Sequence, residues 1–307
     1  MERIRPVLVI GESLVDVVVR PGSESEEFPG GSAANAAVAL ARLGESVHLA
    51  TALGPDRHGE LIRAHLGDSG VGWASEPLVL GETARAEALI GPDGSATYTF
   101  DIDWEVGPLH ADLPAPLAVV VSSLAPVLEP GAARVFELVE AHAGSATVVY
   151  DINARPAITG AGERVVAAVE RMASLADLVK ASDEDLAVLW PHLELREAAE
   201  RLLDLGASAV AITLGAEGSA WVDRERHLTE PAVLVEVVDT IGAGDTFGAA
   251  LVSHLLDLAD LGSGADVLGA LAEDDVREAL RWAARAAAVT VSRPGPNPPT
   301  RDEVAAT

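Results

Sequence analysis

The residues best suited to chemistry form one run in which an apolar segment leads into small residues and an aspartate. The run is Val237-Val238-Asp239-Thr240-Ile241-Gly242-Ala243-Gly244-Asp245-Thr246-Phe247. It predicts a β segment, a tight loop and a helix start, so several unpaired backbone N–H groups at the helix N-terminus should converge on one point. Such a point binds anions, and it suits a phosphoryl group whose charge spreads over several oxygens during transfer.

Asp245 follows this loop and is the candidate base. The core stripe expected for the helix is Phe247, Ala250, Leu251, Leu255 and Leu258. Asp245 lies about 200° around the helix from Phe247, so we expect its carboxylate to face away from the core, beside the anion site. There it can accept the proton of an attacking hydroxyl while the amides hold the phosphoryl group in line. In the alternative reading, Asp245 only favours the helix dipole and the glycines only form a turn.

The elements that position this run alternate between strand and helix. Short apolar runs bounded by Gly, Ser, Asp or Pro predict strands at Val7–Ile10, Val47–Ala52, Leu117–Val121, Thr147–Tyr150, Asp177–Val179 and Ala209–Thr213. Helical spacing predicts helices at Ala33–Leu43, Gly131–His142, Ala161–Ser174, Arg196–Leu205, Ala243–Leu258 and Val276–Val291. This alternation predicts an α/β fold with a central, mainly parallel sheet flanked by helices.

Two segments depart from the alternation. Leu14–Arg20 has strand character without a following helix, and Ala86–Ile90 joins Ala96–Phe100 through the hairpin signal Gly91-Pro92-Asp93-Gly94. We expect a single domain over residues 1–307 in which about 13–21 and 83–104 form a small β lid. The alternative is that these segments extend the main sheet.

Composition excludes several classes of protein. The chain has 307 residues with 49% apolar content, which excludes a disordered protein, and no cysteine, which excludes thiolate chemistry and thiolate metal sites. Its formal charge of −27, from 21 basic and 48 acidic side chains, disfavours nucleic-acid binding. No apolar stretch reaches the roughly 18 residues of a membrane span. We therefore expect a cytoplasmic protein with no membrane or nucleic-acid partner.

Two motifs together resemble a known family. The D-T-x-G-A-G-D-x-F pattern from Asp239 to Phe247 is similar to the C-terminal signature of the ribokinase-like, or phosphofructokinase-B, carbohydrate kinases. Gly30-Gly31-Ser32-Ala33-Ala34-Asn35-Ala36-Ala37 resembles their N-terminal G-G-x-x-x-N-x-A start. Further matches are Gly11–Asp16, Leu53–Gly59, Asp151–Arg155, Ala176–Asp185 and Thr213–Gly218, so the resemblance covers nearly the whole chain.

The resemblance implies a Rossmann-like ribokinase fold with a β lid and assigns roles to individual residues. It makes Gly242, Ala243 and Gly244 an anion hole and Asp245 the base that deprotonates the acceptor hydroxyl. The sugar-binding residues that it implies are Asp16, Gly31, Asn35, Asn153 and Arg155. Alternative roles are a polar lid residue for Asp16, a first-turn capping residue for Asn35 and a surface loop residue for Arg155.

The nucleotide-binding residues that the resemblance implies are Lys180, Ser182, Thr213, Gly215 and Gly218. Lys180 could instead be an edge residue that blocks strand pairing. Asp185 stands where the family has Glu in a motif tied to Mg²⁺, and its shorter side chain has less reach. Mg²⁺ is expected in any case, because it neutralises ATP and bridges the β- and γ-phosphate oxygens. K⁺ is a further candidate ion, with Asp239 among its candidate ligands.

We therefore expect an ATP-dependent carbohydrate kinase. Asp151-Ile152-Asn153-Ala154-Arg155 resembles the D-P-N-x-R of fructokinase-type members, which makes fructose the leading acceptor although Ile152 replaces the proline. Ribose, 2-keto-3-deoxygluconate and nucleosides are alternatives within the fold. A non-catalytic sugar- or nucleotide-binding protein is the alternative of another class. Strand edges in a lid also favour a homodimer formed through the lid.

Overall fold

The computed structural model describes residues 5–20, 22–91, 96–258 and 265–307. In chain order the strands are β1 (Val7–Ile10), β2 (Leu14–Val19), β3 (Glu26–Gly30), β4 (Val47–Ala50), β5 (Gly72–Trp73), β6 (Arg85–Ile90), β7 (Ala96–Asp101), β8 (Ala118–Ser122), β9 (Thr147–Asp151), β10 (Leu178–Ser182), β11 (Ala209–Thr213), β12 (Ser219–Asp223) and β13 (His227–Glu230). The helices are α1 (Ser32–Arg42), α2 (Arg57–Asp68), α3 (Gly131–His142), α4 (Pro156–Thr159), α5 (Glu163–Ala173), α6 (Asp183–Leu189), α7 (Leu195–Leu205), α8 (Ala243–Leu258), α9 (Ala265–Gly269), α10 (Glu273–Val291) and α11 (Arg301–Ala305).

The main sheet has nine strands in the order β13-β12-β11-β10-β9-β8-β1-β4-β5. The strands from β11 to β5 pair in parallel, and β12 and β13 add an antiparallel edge. Because parallel strands end at the same edge of a sheet, the segments that follow β1, β8, β9 and β10 meet at one place. The predicted α/β fold with a mainly parallel central sheet is confirmed.

Helices cover both faces of the main sheet. Val7 and Val9 point into a core shared with α1, α8 and α10, whereas Leu8 and Ile10 point into a second core shared with α3, α5 and α7. A strand buried on both faces has no polar positions, which explains why β1 is a continuous apolar run. α8 lies between α1 and α10, which both pack along it.

A second sheet of four strands, in the order β3-β2-β6-β7, stands apart from the main sheet. β2 and β6 pair in parallel at its centre, and β3 and β7 flank them in antiparallel pairing. The predicted lid strands are therefore found in one sheet, to which β3 adds a strand that the sequence did not predict. The turn of the predicted hairpin, residues 92–95, lies outside the described residues.

The described ranges contain no helix long and apolar enough to cross a membrane.

Candidate active site

Asp245 lies in the first turn of α8 and is held by the first turn of α1. Ser32 Oγ donates to its Oδ1 at 2.7 Å and Asn35 Nδ2 donates to its Oδ2 at 2.8 Å. Asn153 Nδ2 makes a longer contact with Oδ1, at 3.4 Å. Donors from α1 and from the loop after β9 therefore fix the direction of this carboxylate.

The expected surroundings of Asp245 need a correction. Its side chain is only 7% exposed, because α1 covers the face of α8 that we expected to be open. At the far end of the same helix, Leu258 is 38% exposed instead of buried in the predicted core stripe. Asp245 still borders a small cavity of about 20 Å³, enough for a single water molecule.

Backbone N–H groups gather at the mouth of α8, beside Asp245. Ala243 N–H donates to Thr240 O at 3.3 Å, so it is partly engaged in a turn. The N–H groups of Gly242, Gly244 and Asp245 make no hydrogen bond within the described part of the chain. Gly242 has a φ of 75°, and a Cβ there would come within 2.7 Å of Pro296 Cβ. The loop thus needs glycine and leaves three amides available to an anion.

Lys180 forms a buried ion pair with Asp151 directly under this mouth. Lys180 Nζ lies 3.0 Å from each carboxylate oxygen of Asp151, and a Cβ added to Gly244 would lie 3.1 Å from the same nitrogen. Burial raises the pKa of Asp151 to about 7, against the opposing effect of Lys180. Burial alone would lower the pKa of Lys180, but the carboxylates of Asp151, Asp185 and Asp245 raise it overall. The ammonium therefore stays charged next to the anion site.

The alternative placement of Lys180 at a sheet edge is wrong. β10 lies between β9 and β11, and the Lys180 side chain is 3% exposed. The strand also continues to Ser182 instead of ending near Lys180.

Two further acidic side chains belong to the segment that leads from β1 into the second sheet. Glu12 follows β1 and is buried, and its Oε1 accepts a hydrogen bond from Ser32 N–H at 3.1 Å. Burial raises the pKa of Glu12 to about 7, and the nearby Asp245 charge adds to this effect. Asp16, on β2, is half-buried, and burial raises its pKa to about 6 while Arg155 opposes the change. Gly30 passes so close to Asp16 that a Cβ would lie 2.5 Å from Asp16 Oδ2.

The loop after β9 brings Asn153 and Arg155 to the same edge of the sheet. Asn153 has a φ of 36°, and Ser123 Oγ donates to its carbonyl at 3.0 Å. Asp185 supports the next residue, because its Oδ1 accepts the Ala154 N–H at 2.8 Å. Arg155 is exposed, and its electrostatic influence reaches both Glu12 and Asp16. Of the residues predicted to bind sugar, Asn35 and Asn153 thus contact Asp245, and Asp16 and Arg155 interact electrostatically with each other.

Gly31 directly precedes α1, has a φ of 98° and lies against the backbone that follows β1. A Cβ on Gly31 would lie 2.6 Å from Glu12 O and 2.9 Å from Ser13 Cα. Any other residue would therefore push α1, with Ser32 and Asn35, away from the end of β1.

The residues predicted to bind nucleotide lie on the neighbouring strands β10 and β11 or in the turn after β11. Ser182 caps α6, and Thr213 Oγ1 donates to Ala181 O at 3.4 Å. Gly215 and Gly218 have φ values of 55° and 110° in the turn after β11. The segment before Asp239 exposes the apolar side chains Leu234, Val235, Val237 and Val238. The segment that directly precedes the anion site in sequence therefore presents an apolar surface.

The two predicted metal ligands both have protein partners. Asp185 accepts Ala154 N–H on one oxygen and Ser182 N–H on the other, each at 2.8 Å. Asp239 accepts Ile241 N–H at 3.0 Å and Gly295 N–H at 2.9 Å. Of the residues that the structure describes, no three His, Asp or Glu side chains form a cluster able to hold a metal ion. These two aspartates brace loops, and their role toward a metal stays a prediction.

Three residues of the site were not singled out from sequence: Ser32, Glu12 and Asp151. Ser32 lies inside the N-terminal motif, and its hydroxyl fits beside Asp245 only once α1 and α8 pack together. Glu12 comes two residues after β1 and Asp151 ends β9, and an acidic residue at the end of a buried apolar strand is the signal that could have indicated them.

Comparison with known proteins agrees with this geometry. A family model described as pfkB family carbohydrate kinase matches residues 5–303. A fructokinase of Rhizobium leguminosarum bv. trifolii is 32% identical over 260 residues, which cover 81% of this chain and 79% of that protein. The crystal structure of a Xylella fastidiosa fructokinase with bound ATP superposes with a TM-score of 0.86 at 26% identity, covering 98% of this chain and 97% of the other. An aminoimidazole riboside kinase from Salmonella enterica, complexed with aminoimidazole riboside and an ATP analog, gives 0.81 at 27% identity over 98% and 99% of the two chains.

Proposed function

Since this chain belongs to the pfkB family of carbohydrate kinases, we propose that it phosphorylates fructose and that Asp245 is the base that activates the sugar hydroxyl. The chain is an ATP-dependent sugar kinase, an enzyme that moves the γ-phosphoryl group of ATP to a hydroxyl of a small carbohydrate. It is thus a phosphotransferase and not a non-catalytic binding protein. The choice of sugar and the roles of individual residues form the proposal.

One observation carries the mechanism: the Asp245 carboxylate, held by Ser32 and Asn35, lies beside three unpaired amides. The hydroxyl proton passes to Asp245 as the sugar oxygen attacks the γ-phosphorus and ADP leaves. The N–H groups of Gly242, Gly244 and Asp245 stabilise the phosphoryl oxygens during this step, with support from the Lys180 ammonium below Gly244. Ala243 contributes through the shape of the loop, because its N–H is partly engaged.

The sugar pocket favours a neutral polyol. Asp16, Asn35 and Asn153 supply the acceptors and donors that hydroxyl groups need. Of the basic side chains described in the structure, Arg155 is the one that acts on both Glu12 and Asp16. An acidic acceptor such as 2-keto-3-deoxygluconate would meet this surplus of carboxylates, which supports fructose. A nucleoside is the second candidate, because a riboside kinase shares the fold over nearly its full length.

The proposed nucleotide site lies at the edge of the main sheet, beyond the anion site. Thr213, Gly215, Gly218 and the exposed valines before Asp239 would receive the nucleotide, and Ser182 shapes the neighbouring turn. Mg²⁺ would be held mainly by the ATP phosphates and water, since both oxygens of Asp185 and of Asp239 accept backbone N–H groups. When bound, it neutralises phosphate charge. We propose K⁺ as a second ion, tested by activity in KCl against NaCl.

A coupled ATPase assay over fructose, ribose, 2-keto-3-deoxygluconate and nucleosides tests the substrate. Fructose should give the highest kcat/KM, and a clear preference for a nucleoside would contradict the proposal. For the mechanism, Asp245→Asn should lower kcat by roughly 10²- to 10⁴-fold with little change in either KM. The exposed Asp68, at the end of α2, gives the matched control Asp68→Asn. Undiminished turnover in Asp245→Asn would remove Asp245 as the base.

The proposal includes the second sheet as a lid of about residues 13–21 and 83–104, joined by β3, in a single cytoplasmic kinase domain. Closure over the sugar would exclude water and suppress ATP hydrolysis. Phe28 and Tyr98 are exposed on the lid, and Tyr98 stacks on Phe100, which supports a homodimer formed through it. Light scattering should show a dimer that Phe28→Glu dissociates. Leu234→Glu, at an exposed apolar site outside the lid, should leave the dimer intact.

A further inference from the structure

Glu12 is a buried acid whose role the phosphoryl-transfer mechanism has not used. Its side chain is 3% exposed at the end of β1, against the N-terminus of α1. Oε1 accepts the Ser32 N–H at 3.1 Å, whereas Oε2 is buried and has no hydrogen-bond partner within the described residues. A buried carboxylate oxygen that accepts no hydrogen bond lowers the free energy of unfolding, so Glu12 destabilises the fold.

Ser32 links Glu12 to the proposed base through two of its own atoms. Its N–H donates to Glu12 and its hydroxyl donates to Asp245 Oδ1 at 2.7 Å. The turn is fixed from below as well, because Gly31 packs against the Glu12 backbone. A change at Glu12 therefore shifts the hydroxyl that aims Asp245, although Glu12 itself does not touch Asp245 through a hydrogen bond.

The charged groups that act on Glu12 come from the neighbouring elements. Asp245 of α8 adds a negative charge and Arg155, after β9, adds a positive charge, while the Tyr150 hydroxyl of β9 is a further titratable group within range. α1 offers the Ser32 amide. Asp245 and Glu12 are thus two acidic groups in one desolvated region, and the charge of Asp245 disfavours the ionisation of Glu12.

We propose that Glu12 is a positioning residue for phosphoryl transfer, which places Ser32 against Asp245 and, when ionised, makes Asp245 a stronger base. The inference rests on the proposed role of Asp245. A negative charge on Glu12 increases the attraction of the Asp245 carboxylate for the hydroxyl proton. Because burial raises the pKa of Glu12 to about 7, this acid changes charge in the physiological range. Turnover should therefore rise as Glu12 ionises.

Two substitutions separate position from charge. Glu12→Gln keeps an oxygen for the Ser32 N–H and removes the charge, so it should abolish the rise in kcat near pH 7 and lower kcat at pH 8 by roughly threefold to tenfold. Glu12→Asp keeps the charge and loses the reach to Ser32, so it should lower kcat at every pH and retain the rise. Glu45→Gln, at a buried glutamate that accepts hydrogen bonds from Ser253 and Arg301, is the matched control and should leave the pH profile unchanged.

A second readout does not depend on turnover. Carboxyl-carbon NMR of the full chain should show Glu12 titrating near pH 7, and at lower pH in Asp245→Asn, because the like charge is gone. Identical pH profiles in wild type and Glu12→Gln, or a Glu12 titration unmoved by Asp245→Asn, would overturn the inference. If Asp245→Asn kept full turnover, the base assignment would fail and the inference with it, whatever the NMR titration showed.

Discussion

The half-buried carboxyl of Asp16 differs from an ordinary surface aspartate in its protonation. Burial raises its pKa to about 6, so Asp16 is largely neutral at pH 5 and charged at pH 7.5. An ionised carboxylate accepts hydrogen bonds from sugar hydroxyls more strongly than a neutral one. As the proposed sugar ligand on β2, Asp16 should therefore bind sugar better above pH 6 than below it.

The first prediction follows from this titration. KM for the sugar should rise as the pH falls from 7.5 to 5, and Asp16→Asn should give a high KM that no longer changes through pH 6. KM for ATP, measured in the same assays, serves as the internal control, because Asp16 lies on the lid side of the site. A sugar KM whose pH dependence survives in Asp16→Asn would assign the titration to another group.

At the residue scale, the sequence correctly predicted which residues lie at the site wherever the residue type and its motif were enough to indicate them. Asp245, Asn35 and Gly31 lie together as the two motifs implied, although their roles stay predictions. Burial was harder to foresee. The enclosure of Lys180 and Asp245 depends on which helices pack over the sheet, and that depends on contacts between residues more than 200 positions apart, such as Ser32 with Asp245.

A glycine with positive φ stands on either side of α1. Gly31 has a φ of 98°, and a Cβ there would also collide with the backbone of Glu12 and Ser13. Gly44, after the same helix, has a φ of 92° with open space around it. A side chain at either position would strain the backbone, because both glycines have positive φ. Only at Gly31 would the added Cβ also collide with neighbouring atoms.

The second prediction uses this pair. Gly44→Ala should lower the free energy of unfolding by about 1 kcal/mol, the usual cost of a left-handed conformation for alanine. Gly31→Ala should cost clearly more and should also lower kcat, because α1 carries Ser32 and Asn35. Urea unfolding and steady-state kinetics of both variants check this. Equal losses of stability would show that the backbone around Gly31 relaxes easily.

α6 has a second function besides its place in the core, because its capping box reaches the active-site loop. Asp185 accepts the N–H groups of Ser182 and Ala154, so one side chain joins the start of α6 to the loop that carries Asn153 and Arg155. Both hydrogen bonds are part-buried, and each of the two Asp185 carboxylate oxygens accepts one of them.

Asp185→Asn is the third prediction. An amide has one acceptor oxygen where the carboxylate has two, so one backbone N–H is left unpaired, at a cost of about 1–3 kcal/mol in the free energy of unfolding. KM for the sugar should rise as the Asn153 loop loosens. Glu184→Gln, an exposed change on the same helix, should alter neither quantity. If activity fell only through weaker Mg²⁺ dependence, with stability unchanged, Asp185 would be a metal ligand after all.

At the scale of elements, the sequence predicted the buried strands and most of the long helices to within a few residues. Strands such as β1 and β11 are continuous apolar runs, and α3 and α8 were predicted with their observed bounds. α2 is a twelve-residue helix that was not predicted from the sequence. The missed strands lie at or next to sheet edges. β3, Glu26–Gly30, contains two acids and a proline and forms a strand because β2 offers it a free edge. β12 and β13 likewise depend on pairing with β11, which local sequence does not specify.

Across the whole molecule, acids with raised pKa values and acids with lowered pKa values change the free energy of unfolding with pH in opposite directions. Glu12, Asp16 and Asp151 have pKa values raised by burial, so the folded chain holds their protons more tightly than the unfolded chain does. Their stabilising effect is complete below about pH 4 and is lost as the pH rises through 6 to 7. Hydrogen bonds from Arg293 and Thr300 lower the pKa of Glu303 to about 2, so its effect has the opposite sign: it is complete above about pH 5 and is lost as the pH falls towards 2.

These signs give the fourth prediction, in which the free energy of unfolding falls by a few kcal/mol between pH 5 and pH 8. Repulsion within a chain of formal charge −27 would cause a fall in the same direction, but NaCl screens exposed charges and hardly affects buried ones. The fall measured by urea unfolding should therefore persist in part at 1 M NaCl, and Glu12→Gln should reduce the part that persists. If the pH dependence of the free energy of unfolding vanished entirely in high salt, its origin would be surface charge and not the buried acids of the active site, because salt hardly screens buried groups.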